Sequence, residues 1–280
     1  MYLFFNSAFH PVSTPLFTAG NRAYRYGEGL FETMVYLNGR ICFLNDHFER
    51  LKKGMDAIGF KTPEYFTVPF IENPVAELVK INGHIPAARI RLSVTAGNGL
   101  LGSFSPDGFD LLIESFPLEQ LPGTLNEHGW RTGLFNTVRK SADALSSFKT
   151  ASHIVYAMSA RFAANHKLND CLVLNTNGEI CDTSIASIFL VKNNEIVTPP
   201  LSSGCIDGVL RKKLVKKLQE EGYAIAERTV MPLELEQADE LFVTNVVQGI
   251  RWIEQYNEKI YQKKLVRLIA DDMLPALYLY

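Results

Sequence analysis

Apolar and polar residues alternate along several short stretches of the chain, with the period of two that is typical of β-strands. The stretches 87–97 (AARIRLSVTAG) and 109–116 (FDLLIESF) are predicted strands of this kind. Two other apolar stretches each contain an Asn-Gly pair, Asn38-Gly39 in one and Asn177-Gly178 in the other. Because Asn-Gly favours the two-residue turns that join antiparallel strands, each of these stretches is predicted to be a β-hairpin.

Three stretches instead repeat their apolar residues every three or four positions, which predicts helices with one buried face. They lie after the first hairpin, after residue 149, and from residue 208 onward. The predicted inward-facing residues are Phe48, Leu51, Met55 and Ile58 in the first, Ile154, Met158 and Phe162 in the second, and Val209, Leu214, Val215 and Leu218 in the third.

A stretch rich in turn-forming residues, 117–129 (PLEQLPGTLNEHG), is predicted to separate two domains. The first is a smaller N-terminal α/β domain, residues 1–118, and the second is a larger C-terminal domain, residues 119–280. Helices and strands follow one another without strict alternation. The predicted fold class is therefore α+β, with two domains and mixed sheets.

Composition excludes several classes of function. The chain has 280 residues and a net charge of -2, so it lacks the basic excess of a nucleic-acid-binding protein. Its four cysteines have no CxxC spacing, which argues against a zinc site or a disulfide framework and fits a reducing compartment. The first residues lack the features of a signal peptide, and no apolar run approaches the roughly 20 residues of a membrane span. We expect a cytoplasmic protein that binds no metal, nucleic acid or membrane.

The residues that could carry chemistry are weak candidates when each is taken alone. Lys149 is the one lysine in SSFKTASHIVY (146–156), but most lysines are solvated at the surface. Arg50 falls on the polar side of its predicted helix, and Asp182 could cap a turn. The stretch 202–211 (SSGCIDGVLR) leads into a helix, whose first backbone N–H groups point outward and suit an anion.

Taken together and in order, these segments resemble the class IV aminotransferase family, the fold-type IV enzymes that use pyridoxal phosphate. The family includes branched-chain aminotransferases, D-amino acid aminotransferases and aminodeoxychorismate lyases. The resemblance covers nearly the whole chain, and six segments in the family's order are far more specific than any one of them. The segments are NRAYRYGEGLFET (21–33), DHFERL (46–51), SSFKTAS (146–152), NGEICDTSIASIFLV (177–191), TPPLSSGCIDGVLR (198–211) and ADELFVTN (238–245).

The resemblance implies catalytic roles for Lys149 and Asp182. Lys149 aligns with the family lysine that forms the internal aldimine with pyridoxal phosphate, for which a primary amine is needed. Once displaced by substrate, the same amine can move a proton at the substrate α-carbon. Asp182 stands where the family has a glutamate that pairs with the pyridine nitrogen, so the charge is kept on a side chain that is one methylene shorter.

The resemblance also makes the larger domain the cofactor-binding one and implies further contacts with the cofactor. Arg50, in the smaller domain, aligns with the arginine that binds the phosphate, which a planar bidentate donor suits. The implied contacts in the larger domain are Ser184 and Ile185 beside the pyridine ring, the backbone N–H groups of Val209 and Leu210 at the phosphate, and Asn245 as a late-strand phosphate contact.

The chain departs from the family pattern at several of these places. Leu210 stands where threonine is frequent, so a hydroxyl contact is lost, and Ser187 replaces an asparagine. Asp207 replaces a common proline beside the phosphate site. Ile154 stands five residues after the lysine, where branched-chain enzymes have a tyrosine near the cofactor O3′. Each departure changes an individual contact that the family pattern implies.

Two positions bear on the substrate. D-amino acid aminotransferases hold the substrate carboxylate with an early tyrosine and with an arginine in a Val-Thr-Arg-Gly stretch. Phe31 and Ala96 stand at these places, which weakens the D-specific interpretation. Phe31 and Arg91 are the predicted substrate-binding residues. Arg91 has two interpretations that stay open, a substitute partner for the substrate carboxylate or a structural arginine of its strand.

The first predicted activity is an aminotransferase that moves an amino group from an amino acid to a keto acid through a Lys149 aldimine. The alternative is a 4-amino-4-deoxychorismate lyase that releases pyruvate and 4-aminobenzoate. A third hypothesis is a pyridoxal-phosphate-binding protein without turnover. The resemblance implies a homodimer that acts on a small molecule, an amino acid or an amino-chorismate.

Overall fold

The computed structural model describes residues 1–102 and 108–279. They form two compact units, one of Met1–Leu121 with Phe148–Ser152 and the other of Pro122–Ser147 with His153–Tyr280. The predicted division at 118/119 puts the lysine segment in the second domain, but the segment Phe148–Ser152 packs with the first unit. The chain therefore passes from one unit to the other three times.

The described part of the first unit contains an antiparallel sheet in the order β2-β1-β6-β5-β3-β4. The predicted strands at 87–97 and 109–116 and the first predicted hairpin are confirmed. In the hairpin, Leu37 pairs with Arg40 across Asn38-Gly39, which both have positive φ angles. The strands are β1 (Tyr2–Phe5), β2 (Ala8–Pro11), β3 (Gly29–Leu37), β4 (Arg40–Ile41), β5 (Ala87–Thr95) and β6 (Asp110–Pro117).

The helices described in the first unit are α1 (Arg22–Tyr26), α2 (Leu44–Ala57) and α3 (Val68–Ile81). The predicted inward face of α2 is confirmed, since Leu51 and Met55 are buried in the core and Phe48 packs against it. The same core includes residues of α3 and of the sheet, so both longer helices cover the sheet through their apolar faces.

The second unit contains a nine-stranded mixed sheet among its described residues, in the order β12-β11-β10-β13-β14-β7-β8-β9, with β15 beside β14. Three of the pairs are parallel: β11 with β12, β14 with β7, and β7 with β8. This arrangement confirms the predicted α+β class with mixed sheets. The strands are β7 (Trp130–Lys140), β8 (Asp170–Asn175), β9 (Ile180–Thr183), β10 (Ser187–Lys192), β11 (Glu195–Thr198), β12 (Ile225–Glu227), β13 (Glu240–Asn245), β14 (Gly249–Tyr256) and β15 (Lys259–Ile260).

The helices described in the second unit are α4 (Ile154–Asn165), α5 (Val209–Glu220), α6 (Pro232–Gln237) and α7 (Lys264–Leu279). The predicted inward position of Ile154 is wrong, because its side chain is 58% exposed. The buried face of α4 carries Tyr156, Ser159 and Ala163, which recur at the spacing of one helix face. Within the described ranges, no helix has both the length and the apolar character needed to cross a membrane.

A buried carboxylate fixes the start of α7. Glu240, at the beginning of β13, accepts hydrogen bonds from the backbone N–H groups of Lys264, Leu265 and Val266, at 2.8–3.0 Å. These are first-turn donors, which have no acceptor within their own helix. The glutamate of the Ala-Asp-Glu segment is therefore a helix-capping residue in this fold.

Candidate active site

The lysine segment is held in the first unit by backbone hydrogen bonds to β3. The N–H of Phe31 donates to the carbonyl of Lys149 (2.9 Å), and the N–H of Ala151 donates to the carbonyl of Gly29 (2.8 Å). Phe148 lies against Gly54 of α2, where an added Cβ would come within 3.3 Å of its ring. The backbone of the lysine segment is therefore held by hydrogen bonds to β3, and the neighbouring Phe148 side chain packs against α2.

The amine of Lys149 lies close to both predicted substrate residues. Its Nζ is 4.8 Å from the centroid of the buried Phe31 ring, and the guanidinium carbon of Arg91 is 4.0 Å from the same centroid. The strand register explains this, because Arg91 of β5 is paired with Thr33, two residues beyond Phe31 on the same face of β3. The first unit thus brings Lys149, Phe31 and Arg91 together.

Arg91 is a half-buried arginine for which the described ranges provide no hydrogen-bond acceptor. Among residues 1–102 and 108–279, its guanidinium makes no hydrogen bond or close ion pair. Burial lowers the pKa of Arg91, and the charge of Glu114 across the strand pair partly opposes this. The guanidinium stays charged at any physiological pH and keeps donors that can bind an anion.

Arg50 takes part in a buried ion pair. Its Nε and Nη2 donate to the two carboxylate oxygens of Glu32, at 2.7 and 2.6 Å, and Nδ1 of His47 lies 2.7 Å from the same carboxylate. Burial alone would raise the pKa of Glu32, but the charge of Arg50 and then the contact with His47 outweigh it and lower the pKa to about 2. The carboxylate therefore fixes the orientation of Arg50, whose role at a phosphate stays a prediction.

His47 is a neutral member of this group. Burial lowers its pKa more than the neighbouring carboxylate raises it. The ring is then uncharged at neutral pH and donates to Glu32 through Nδ1, which leaves Nε2 buried without a partner among the described residues.

In the second unit, Asp182 has three donors on one carboxylate oxygen. Its Oδ2 accepts from Nζ of Lys140 (3.1 Å), from the hydroxyl of Tyr156 (2.6 Å) and from the N–H of Ile206 (3.0 Å). Its Oδ1 accepts no hydrogen bond from the described part of the chain. Sequence reasoning missed both Lys140 and Tyr156. The sequence feature that could have indicated Tyr156 is its polar hydroxyl on an otherwise apolar predicted helix, two residues beyond Ile154.

Ser184 and Ile185 follow β9 and have different environments. The hydroxyl and N–H of Ser184 donate to Oδ1 of the buried Asp170, at 2.5 and 3.1 Å. Burial raises the pKa of Asp170, although its hydrogen bonds with Ser184 oppose the rise. Ile185 is 52% exposed. Ser184 is therefore held by the protein, whereas Ile185 presents an apolar side chain outward.

The start of α5 is open to an anion. Gly208 is its N-cap residue and makes no side-chain cap, so the N–H groups of the first turn, which include Val209 and Leu210, have no acceptor in the helix. A Cβ on Gly208 would come within 2.6 Å of Oγ of Ser187. Ser187 is directly opposite Thr244 in the sheet, and the buried Oγ1 of Thr244 has no hydrogen-bond partner among the described residues.

The side chain of Asn245 is used within the turn after β13. Its Oδ1 accepts from the N–H groups of Val247 (3.0 Å) and Gln248 (2.8 Å), and its Nδ2 donates to Oε1 of Gln248 (2.9 Å). The predicted contact of Asn245 with a phosphate stays a prediction, and Thr244 is a neighbouring hydroxyl that sequence reasoning missed.

The sequence profile of the amino-transferase class IV family matches residues 29–256 of the chain. The chain belongs to the class IV aminotransferase family. Members of this family are pyridoxal-phosphate-dependent aminotransferases or lyases, so the chain is a pyridoxal-phosphate-dependent enzyme of one of these two kinds.

Relatives of both kinds are similar to this class IV chain. A Methanocaldococcus jannaschii protein whose name assigns it to the branched-chain-amino-acid aminotransferases is 27% identical over 254 residues, which cover 89% of this chain and 85% of the relative. The aminodeoxychorismate lyase of Vibrio harveyi is 25% identical over 236 residues, 82% of this chain and 84% of the relative. A branched-chain aminotransferase from Thermoproteus uzoniensis, crystallised with norvaline, shares the fold, with a TM-score of 0.86 at 23% identity over 97% of this chain and 92% of its own.

The residues present fit the family's cofactor. The first unit offers a primary amine and an oriented arginine. As far as the described residues show, the second unit offers a carboxylate with one oxygen that accepts no hydrogen bond, a helix start at Gly208 where an added Cβ would meet Ser187, and a buried hydroxyl without a partner. Among the described residues, no cluster of His, Cys, Asp and Glu side chains could hold a metal ion.

Proposed function

We propose that this enzyme is an aminotransferase that moves an amino group from an amino acid to a keto acid, with Lys149 as the group that moves the proton. The observation that carries the proposal is the arrangement of Lys149 and Arg91 around Phe31. An amino acid presents a carboxylate and a proton on the same carbon, and this arrangement offers one partner for each.

Arg91 binds the substrate carboxylate in this proposal. Its guanidinium has donors to spare and stacks on Phe31, which limits its freedom before a substrate arrives. Lys149 then holds and returns the proton at the substrate α-carbon, the step that aminotransferases and lyases of this family have in common. The two cations lie 4.0 and 4.8 Å from the centroid of the buried Phe31 ring, so the ring offers an apolar surface between the two groups that would bind the substrate.

The remaining predicted residues hold the cofactor. Pyridoxal phosphate, when bound, supplies the aldehyde that takes up the amino group and a ring that withdraws electrons from the α-carbon. Asp182 offers its unused Oδ1 to the pyridine nitrogen, and Arg50 offers charge to the phosphate. Ser184, Ile185, Val209, Leu210 and Asn245 complete the set of proposed cofactor contacts.

The second candidate is a 4-amino-4-deoxychorismate lyase. The similarity to the Vibrio harveyi lyase, at nearly the identity and coverage of the aminotransferase relative, favours it. Leu210, at the start of α5, favours it slightly as well, because family members often have threonine at this position and some lyases do not. Both activities need a base at the carbon that bears the amino group, so Lys149 has the same role in each.

One pair of assays separates these candidates. The purified protein is incubated with branched-chain amino acids plus 2-oxoglutarate and, separately, with aminodeoxychorismate. Formation of glutamate supports the aminotransferase, and release of pyruvate with an aromatic product supports the lyase. A yellow protein without either product supports a pyridoxal-phosphate-binding protein without turnover. A protein that stays colourless with added pyridoxal phosphate refutes all three hypotheses. The Lys149→Ala variant should lose the covalent attachment of pyridoxal phosphate to the protein.

The role of Arg91 has a matched control on the same strand. Arg89 also stacks on a phenylalanine, Phe116, but is exposed. Arg91→Ala should raise KM and lower kcat/KM by about 100-fold, because a carboxylate loses a charged, hydrogen-bonded partner. Arg89→Ala should change kcat/KM less than twofold. An unchanged KM in Arg91→Ala would leave Arg91 as a structural arginine.

A homodimer in the cytoplasm completes the proposal. Sedimentation equilibrium of the purified protein tests the oligomeric part directly, since a mass near 63 kDa is expected from two chains of 31.5 kDa. A single species at the mass of one chain would contradict it.

A further inference from the structure

Tyr156 has no part in the proposed function so far, yet its hydroxyl makes the shortest contact with Asp182. The phenol donates to Oδ2 at 2.6 Å, compared with 3.1 Å for Lys140 and 3.0 Å for the N–H of Ile206. Both Tyr156 and Asp182 are buried. A short bond between two buried groups has a defined direction, because neither partner can exchange it for water.

The carboxylate of Asp182 has a defined orientation only if its hydrogen-bond donors restrict its rotation. The torsion that rotates a carboxylate about its last bond is broad, so a lone aspartate presents either oxygen in many orientations. Three donors that meet on Oδ2 restrict this rotation, and Oδ1 is the oxygen that has no partner in the described ranges. The orientation of the remaining oxygen of Asp182 therefore depends on these donors.

The two side-chain donors differ in what they contribute. Lys140 brings a positive charge, and its Nζ also donates to the carbonyl of Ser146. Tyr156 brings direction without charge. Burial and then the charge of Asp182 raise its pKa well above the usual value, so the phenol keeps its proton throughout the working pH range. Its ring is fixed by stacking on His153, with centroids 4.3 Å apart, and by packing in a buried cluster with Val173, Cys181 and Cys205.

We infer that Tyr156 is a positioning residue that acts through Asp182, by holding Oδ2 so that Oδ1 is aimed at the pyridine nitrogen of the cofactor. This inference rests on the proposed function of Asp182. In this inference the tyrosine of α4 acts at the pyridine nitrogen of pyridoxal phosphate, through Asp182. The position five residues after the lysine, where other members have a tyrosine near O3′, holds the exposed Ile154.

The test uses Tyr156→Phe and a matched control, Tyr261→Phe. The hydroxyl of Tyr261 is also buried in the second unit and donates one hydrogen bond of 2.8 Å, to the carbonyl of Leu235. Each substitution removes one buried hydroxyl and keeps the ring. The measured quantities are the thermal midpoint of the apoprotein, the Kd of the apoprotein for pyridoxal phosphate, and the rate of amino-group transfer at saturating cofactor.

We expect both variants to lower the thermal midpoint by a similar amount. Tyr156→Phe should also raise the Kd several-fold and slow the transfer about tenfold, as expected when a reacting group loses its alignment. Tyr261→Phe should change neither value. In an Asp182→Asn background, Tyr156→Phe should have less than a twofold further effect on either, because a residue that acts through the carboxylate cannot act twice.

Two results overturn the inference. One is a Tyr156→Phe enzyme with the Kd and transfer rate of Tyr261→Phe. The other is a double variant in which the fold-changes in Kd and transfer rate equal the product of those caused by Tyr156→Phe and Asp182→Asn separately. Either result leaves the proposed function intact. A wild-type protein that binds no pyridoxal phosphate overturns the proposed function together with this inference, so the two failures are distinguishable.

Discussion

Replacing Glu32 by glutamine removes the carboxylate that holds Arg50 and His47 in the first unit. The carboxylate and both partners are buried, and the substitution removes the charged group to which Arg50 donates two hydrogen bonds. Removing one member of a buried ion pair costs about 3–5 kcal/mol. The difference between the ordinary pKa of 4.5 and the folded value of about 2 for Glu32 corresponds to about 3 kcal/mol. Both routes predict that Glu32→Gln lowers the free energy of unfolding by about 3 kcal/mol at pH 7.

The pH dependence of this loss has a defined sign. A carboxyl group whose pKa is lower in the folded protein stabilises it fully above the unfolded pKa of 4.5, and this stabilisation disappears as the pH falls towards about 2. The wild type loses this contribution on acidification, whereas Glu32→Gln never had it. The difference in unfolding free energy between the two proteins should therefore shrink steadily from pH 5 to pH 3.

Urea denaturation at pH 7, 5, 4 and 3 measures this difference. Glu49→Gln on α2 is the control, because Glu49 pairs with Lys53 at a similar distance of 2.7 Å but at the surface. An exposed pair of this kind contributes about 0.5 kcal/mol or less. A loss below about 1 kcal/mol for Glu32→Gln, or a difference from the wild type that is constant down to pH 3, would refute the reasoning.

Two further substitutions test the second unit. Gly208→Ala adds a Cβ within 2.6 Å of Oγ of Ser187 and should weaken pyridoxal phosphate binding at least tenfold in a titration of the apoprotein. Gly123→Ala, which meets no atom within 4 Å, should leave the affinity unchanged, and equal affinities in the two variants would contradict the phosphate site. Glu240→Ala removes the acceptor for three N–H groups of α7 and should lower the free energy of unfolding by about 2 kcal/mol in urea titrations. A cost below about 0.5 kcal/mol would show that water replaces the carboxylate.

The elements predicted best from the sequence are those that short-range chemistry determines. The turn at Asn38-Gly39 and the strands on either side of it needed no information from the rest of the chain. Helix α3 was harder, because Pro74 within it is a residue that normally interrupts a helix. Here the apolar face of the helix is buried in the core, and tertiary packing outweighs the low helix propensity of proline.

In the candidate site too, the residues marked by local motifs could be predicted, and those that depend on tertiary packing could not. Lys149, Arg91 and Phe31 could be chosen from motif order and strand pattern, and the strand register brings them together. Tyr156 was missed, because α4 has apolar residues on several sides and its pattern does not define one inward face, so the one signal was a polar group on an apolar helix. The partners of Asn245 depend on the path of the following turn, which no spacing rule predicts.

The three passages of the chain between the two units have a consequence for how the protein is made. The first unit is not a continuous stretch, because its last segment is Phe148–Ser152. During synthesis from the N-terminus, residues 1–121 leave the ribosome without the segment that pairs with β3, so the edge of β3 stays open until residue 152 has emerged. A fragment that ends at the turn-rich stretch near residue 120 would expose the same edge permanently. The amine of Lys149 thus arrives together with the backbone segment that pairs with β3.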